Sequence, residues 1–105
     1  MVFITENELK IVLGIIKAQV PDCEVLAFGS RVNGKHKTFS DLDLAFKSKA
    51  EINPEHLIDI AEEFSESDLP FRVDVVDYNA VSDKFREIID KNNVRIYPIT
   101  EKICI

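Results

Sequence analysis

The chain of 105 residues carries 19 acidic and 13 basic side chains, which gives a formal net charge of −6. This balance argues against a polynucleotide partner, because affinity for a phosphate backbone comes largely from clustered Lys and Arg. No apolar run approaches the roughly 20 residues of a bilayer-spanning helix, and the N-terminus lacks the pattern of a signal peptide. We therefore expect a soluble, cytoplasmic protein with one domain over residues 1–105 and no membrane partner.

The apolar periodicity predicts eight elements along the chain. Spacings of three and four residues indicate helices, whereas alternation or a short apolar run indicates strands. Asn53 and Ser82 are typical N-caps, and Pro54 suits the first position of a helix. The predicted elements are a helix over Glu6–Val20, a strand over Glu24–Phe28, a helical turn from Arg31, a strand over Asp41–Lys47, a helix over Pro54–Phe64, a strand over Phe71–Val76, a helix after Ser82 and a strand over Val94–Tyr97.

This order of elements predicts an α/β (α+β) fold in which helices pack on a small mixed β-sheet. The order and direction of the strands cannot be read from the pattern. Gly14 lies inside the first predicted helix, where it costs about 1 kcal/mol relative to Ala. We expect it to mark a close packing contact.

The stretch Leu26–Asp43 concentrates the residues that are chemically most demanding. An apolar strand ends at Gly29 and Ser30, which is typical of a turn whose backbone approaches an anion closely. Asp41 and Asp43 follow on the next strand, where residues two apart share one face. Mg²⁺ prefers oxygen ligands, and it commonly takes one or two carboxylates together with water and substrate phosphate. The stretch predicts a phosphate-binding turn that faces a metal-binding strand.

A third carboxylate is expected from the strand FRVDVVD, which offers Asp74 and Asp77. Asp77 has the parity of the apolar face and stands where the strand ends, so a turn role suits it. Asp74 lies on the opposite face, and we assign it to the site as the candidate general base. Arg31 and Lys35 add positive charge beside the turn, which suits the binding of a small anion.

The spacing of Gly29-Ser30, Asp41-x-Asp43 and a later Asp74 resembles the signature of the DNA polymerase β-like nucleotidyltransferase superfamily. The short chain looks most like its minimal nucleotidyltransferase (MNT) branch, and the resemblance covers nearly the whole chain. It implies that Asp41, Asp43 and Asp74 hold Mg²⁺ or Mn²⁺. It also implies that Gly29, Ser30 and Arg31 bind a nucleoside triphosphate, most simply ATP.

The same resemblance implies a partner protein. Larger members of the superfamily carry an additional domain that grips the base or the acceptor, and no residues remain here to build one. MNT proteins are commonly paired with a HEPN protein as the antitoxin of a toxin–antitoxin system, in some cases by adding AMP to a tyrosine of the toxin. We therefore expect a nucleotidyltransferase that acts on a HEPN partner, in a homo- or hetero-oligomer.

Two alternatives remain open from the sequence. The chain could be a binding module that neutralises its partner by occlusion, with the apolar tail 103–105 lying in an interface; a terminal strand explains that tail equally well. It could also be a transferase that acts on a small molecule, which the same motif would serve.

Four residues of types that often bind metals are predicted to have no such role. Cys23 and Cys104 lie near opposite ends of the chain without metal-ligand spacing, so we expect ordinary thiols. His36 and His56 have no second ligand at a metal-binding spacing, so we expect them to be a loop residue and a helix residue.

Overall fold

The computed structural model describes residues 2–98 and contains the eight elements in the predicted order. Their bounds lie within two residues of those predicted. The elements are α1 (Glu6–Gln19), β1 (Glu24–Phe28), α2 (Ser30–Asn33), β2 (Leu42–Lys47), α3 (Pro54–Ser65), β3 (Val73–Asp77), α4 (Asp83–Lys91) and β4 (Asn93–Tyr97).

Side-chain caps fix where the longer helices begin. Asn53 accepts a hydrogen bond from the Glu55 N–H at 2.9 Å, and Ser82 caps α4. At α1, the Thr5 hydroxyl accepts from the Glu8 N–H while the Glu8 carboxylate accepts from the Thr5 N–H. This reciprocal capping box satisfies two backbone donors that the first turn leaves free. The Thr5-x-x-Glu8 spacing is the sequence signature of this capping box.

The four strands form one mixed sheet in the order β3-β2-β1-β4. β1 is antiparallel to both β2 and β4, whereas β2 and β3 are parallel. A parallel pair needs a crossover connection, and α3 supplies it. The register places Phe28 opposite Asp43 and Asp43 opposite Asp74, so the ends of three strands meet at one point.

Helices cover both faces of the sheet. The main core packs α1 and α3 against one face, which includes Leu42, Leu44 and Phe46 of β2. A smaller apolar cluster lies on the other face, where Ala45 packs with Ile89 of α4. This arrangement confirms the predicted small mixed sheet with packed helices. The alternation of β2 therefore directs Asp43 to the α4 side of the sheet.

Gly14 does not have the packing role that we expected. A Cβ atom built at this position would meet no neighbouring atom within 4 Å. Because the residue is exposed on α1, its helix-weakening effect has no compensating contact. The expectation of a close contact is wrong.

Cys23 is buried as a free thiol, and His56 is within hydrogen-bonding distance of the Gln19 side chain. Cys104 and the tail 103–105 lie outside the described residues. Among the helices of residues 2–98, none has the length and apolar composition that crossing a bilayer would require.

Candidate active site

The turn after β1 brings the backbone of Gly29 against a carboxylate. Gly29 adopts φ 82° and ψ −155°, a conformation that side chains other than hydrogen rarely allow. A Cβ atom at this position would overlap Asp43 Oδ2. Ser30 then begins α2, and the Gly29 carbonyl accepts from the Val32 and Asn33 N–H groups. The turn is therefore shaped so that a bare backbone lies beside the β2 carboxylate.

Three aspartates gather at the end of the sheet beside this turn. Asp43 stands between the end of β1 and Asp74, its register partner on β3. Asp41 lies just before β2, close enough to Asp74 for the two carboxyl groups to interact by a hydrogen bond. The structure thus brings together the three acidic residues that the sequence singled out. Asp77 stays apart from them.

The electrostatics of the cluster reflect this crowding. Burial, followed by the charges of Asp74 and Asp41, raises the pKa of Asp43 to about 6. Burial and the hydrogen bond with Asp41 also raise the pKa of Asp74, while the Arg72 guanidinium opposes this rise. Carboxylates held this close favour either a shared proton or a cation.

The donor set of the cluster fits a hard divalent cation. Mg²⁺ and Mn²⁺ take oxygen ligands, and carboxylates from two adjacent strands can converge on such an ion. Among residues 2–98, no group of three His, Cys, Asp or Glu side chains is already arranged as a metal site. The three carboxylates therefore match the chemistry of the ion, although in this arrangement they do not form a ready-made metal site.

Arg72 is the basic neighbour of Asp74. Its Nε lies 3.1 Å from Asp74 Oδ1, in a largely exposed ion pair. Strand parity predicts this proximity, because positions 72 and 74 share one face. Because this pair is exposed to water, it neutralises Asp74 only weakly.

The Arg31 side chain does not face the cluster as expected for a nucleotide ligand. It is 5% exposed, and its donors bond the carbonyl groups of Phe3, Thr38 and Ser40 at 2.8–2.9 Å. Its guanidinium also lies 4.0 Å from the centre of the Phe71 ring. We correct the expectation for this side chain: it holds the loop that leads into Asp41. Lys35 is exposed on that loop.

Asp77 has the turn role that strand parity predicted. Its carboxylate accepts from the Ile52 N–H at 2.7 Å and from the Asn79 N–H at 3.0 Å. The residue is 5% exposed. These bonds tie the end of β3 to the segment that precedes α3, and they leave Asp74 as the carboxylate of β3 beside Asp43.

Comparisons with known proteins point to one family. The family model described as "Polymerase beta, Nucleotidyltransferase" matches residues 16–102. A Haemophilus influenzae protein named "Probable protein adenylyltransferase MntA" is 51% identical over 88 residues, which cover 84% of this chain and 77% of that protein. The range matched by the family model, residues 16–102, includes the glycine turn and the three aspartates.

Solved structures share the fold. A chain from the crystal structure of a toxin–antitoxin with AMP-PNP superposes with a TM-score of 0.75 at 18% identity, over 88% of this chain and 74% of that one. A second match comes from a tri-AMPylated Shewanella oneidensis HEPN toxin in complex with an MNT antitoxin, with a TM-score of 0.67 at 16% identity, over 88% of this chain and 71% of that one.

Proposed function

Because the chain belongs to the polymerase β nucleotidyltransferase family, we propose that it transfers AMP from ATP to a hydroxyl group of a HEPN partner protein. In this role it is the antitoxin of a toxin–antitoxin pair. The family match confirms the resemblance that the motif suggested. The name of the Haemophilus influenzae relative and the AMPylated toxin of the Shewanella oneidensis complex support the acceptor and the nucleotide.

One observation carries the proposal: the bare backbone of Gly29 lies against Asp43, while Asp43 lies beside Asp74 across the β2–β3 pair. A phosphate chain at the turn would then pass directly beside the carboxylates. We assign the triphosphate to Gly29 and Ser30, whose small side chains leave the backbone accessible.

We assign Mg²⁺ or Mn²⁺ to Asp41, Asp43 and Asp74. When bound, the ion neutralises charge on the phosphates and lowers the pKa of an attacking hydroxyl group. The chain itself supplies the positions of the carboxylates and of the turn. Asp74 is on the outermost strand, so it is the carboxylate most accessible to an acceptor that approaches from outside.

The transfer balances as a single displacement. The acceptor oxygen forms a bond to the α-phosphorus of ATP and gives its proton to Asp74. The bond from the α-phosphorus to the oxygen bridging to the β-phosphate breaks, and its electron pair leaves with pyrophosphate. The products are the AMP ester of the acceptor and pyrophosphate.

The direct test uses the purified chain, its co-expressed HEPN partner, labelled ATP and Mg²⁺. We expect the partner to gain one or more AMP groups, detected as label and as a mass increase. Asp41→Asn and Asp43→Asn should abolish the label, whereas Glu87→Gln, at an exposed position of α4, should retain it. Full labelling by both site variants would refute the assignment. Replacing Mg²⁺ with Mn²⁺ or Ca²⁺ then identifies which ion supports the reaction.

The occlusion alternative stays an outcome of this test. The apolar tail that motivated it lies outside the described residues, so it motivates no second proposal here. An Asp41/Asp43 double variant that neutralises the partner at full strength would favour occlusion over transfer. Labelling of a small molecule in place of the partner would favour the small-molecule alternative.

A further inference from the structure

The outer edge of β3 presents free backbone groups close to the site. β3 is the last strand of the sheet, and within residues 2–98 no strand pairs with its outer side. The Leu42 N–H donates to the Arg72 carbonyl at 2.9 Å, so even-numbered positions of this strand bond to β2. In a parallel pair the odd-numbered residues of this strand direct their N–H and C=O groups away from β2. Among residues 2–98, the backbone groups of Val73 and Val75 are therefore available to pair with an added strand.

A groove of about 550 Å³ runs along this edge, between β3 and α3. Ile58 of α3 lines it and is 58% exposed, so the groove offers an accessible apolar contact. The side chains of Val73 and Val75 point to the α3 side of the sheet, because their register partners are Leu42 and Leu44 of the main core. Asp74 points to the opposite side.

The charge around the groove specifies what could occupy it. α3 carries four carboxylates and no Lys or Arg, and one of the four, Glu62, lines the groove; the others are Glu55, Asp59 and Glu63. Arg72 and Asp74 also line the groove as an exposed ion pair, so that with Glu62 the charged lining residues are two acids and one base. An occupant with basic residues would be complementary to this surface, and it would be steered towards it.

We propose that the free edge of β3 and the α3 groove bind an extended, basic segment of the acceptor protein as a fifth strand. This inference rests on the proposed transfer to a protein. Added strands pair through the backbone at about 4.8 Å and take their specificity from alternate side chains. The residue opposite Asp74 would share its face and carry the hydroxyl, while its two neighbours would enter the groove beside Ile58.

The pairing predicts the form of the acceptor sequence. Side chains alternate between the two faces of a strand. The modified residue should therefore have an apolar residue immediately before it and another immediately after it, with Lys or Arg nearby. Mapping of the modified residue in the partner by mass spectrometry checks this pattern. A modified residue flanked on both sides by acidic residues would overturn the inference.

A matched pair of variants tests the groove. Ile58→Lys removes the exposed apolar contact and adds charge that repels a basic segment. Ile88→Lys makes the same change at a residue that is 59% exposed on α4, which covers the other face. We expect Ile58→Lys to raise KM for the HEPN partner by about tenfold, with kcat and the KM for ATP within about twofold. Ile88→Lys should leave all three within about twofold of the wild type.

A second variant tests the backbone edge. Val75→Pro removes an N–H that points outward, and proline is tolerated on an edge strand when its missing N–H faces solvent. We expect the same selective rise in KM for the partner. Thermal unfolding of the variant checks that the sheet is retained, and an unfolded Val75→Pro would contradict the outward direction of that N–H.

The outcomes separate this inference from the proposed function. If the wild type labels its partner and Ile58→Lys behaves like Ile88→Lys, the groove is not the docking site although the transfer stands. If the wild type with Mg²⁺ and ATP never labels its partner, the proposed function fails and this inference fails with it.

Discussion

Replacing Asp43 with Asn should stabilise the protein at pH 8 when no divalent cation is present, even though it removes a proposed catalytic group. Burial, with the charges of Asp74 and Asp41, raises the pKa of Asp43 to about 6. The folded protein therefore holds the Asp43 proton more tightly than the unfolded chain does. Ionisation of this carboxyl at neutral pH works against folding.

The sign and the size follow from this pKa. A carboxyl whose pKa is raised on folding contributes its full stability below the unfolded value of 3.8, and the contribution is lost as the pH rises through about 6. The full difference corresponds to about 3 kcal/mol, at about 1.4 kcal/mol per pH unit. Asp43 is only half-buried, and screening by water reduces this value to about 1–2 kcal/mol.

The assay is urea unfolding at pH 4, 6 and 8 in EDTA, with Asp59→Asn as the control for loss of an exposed carboxylate. We expect Asp43→Asn to match the wild type at pH 4 and to exceed it by about 1–2 kcal/mol at pH 8. Saturating Mg²⁺ should reverse the order, because a ligand that binds only the folded wild type stabilises it. An Asp43→Asn protein less stable than the wild type at pH 8 in EDTA would refute the reasoning.

Three further predictions concern residues around the site. Gly29→Ala should destabilise the fold by about 1–3 kcal/mol and abolish transfer, because its φ is positive and its Cβ would overlap Asp43. Gly14→Ala, in open space on α1, should instead stabilise the fold by about 0.5–1 kcal/mol. Urea unfolding of the two variants compares these changes. Arg31→Met should lower the free energy of unfolding by about 3–5 kcal/mol, because three carbonyl groups lose a charged donor. Thermal or urea unfolding measures this loss. A variant of normal stability with a raised KM for ATP would instead support the nucleotide-binding role of Arg31. Asp77→Ala should lower the free energy of unfolding by about 1–3 kcal/mol while kcat stays near the wild-type value, because its carboxylate caps two backbone N–H groups away from the site. A loss of kcat without a loss of stability would favour Asp77 over Asp74 as the third carboxylate.

The elements could be predicted because their signals are local. Periodicity, caps and proline positions act within a few residues, and they located all eight elements along the described chain. The choice of Asp74 over Asp77 also came from a local rule, the alternation of side chains along one strand. The parallel register sets Asp74 beside Asp43 and places Asp77 opposite Phe46.

The direction of the Arg31 side chain could not be predicted in this way. A cation next to a glycine turn is equally suited to bind a phosphate or to bind backbone carbonyl groups. The carbonyl that decides the matter at Phe3 lies 28 residues away in sequence. The Phe71 ring that stacks on the guanidinium comes from the segment before β3. Only the tertiary fold brings these groups together, so charge and spacing alone could not indicate that this side chain holds the loop before Asp41.

The proposed docking surface depends on strand order, which is also a tertiary property. β1 has neighbours on both sides, because β4 returns antiparallel along the side that β2 leaves free. The α3 crossover must then place β3 outside β2, where one edge stays open. The same placement sets Asp74 on the outermost strand and the acidic face of α3 beside it. The position of Asp74 beside Asp43 and the open edge of β3 are therefore two consequences of a single topological choice, and the proposed docking at that edge would bring an acceptor directly to the carboxylates.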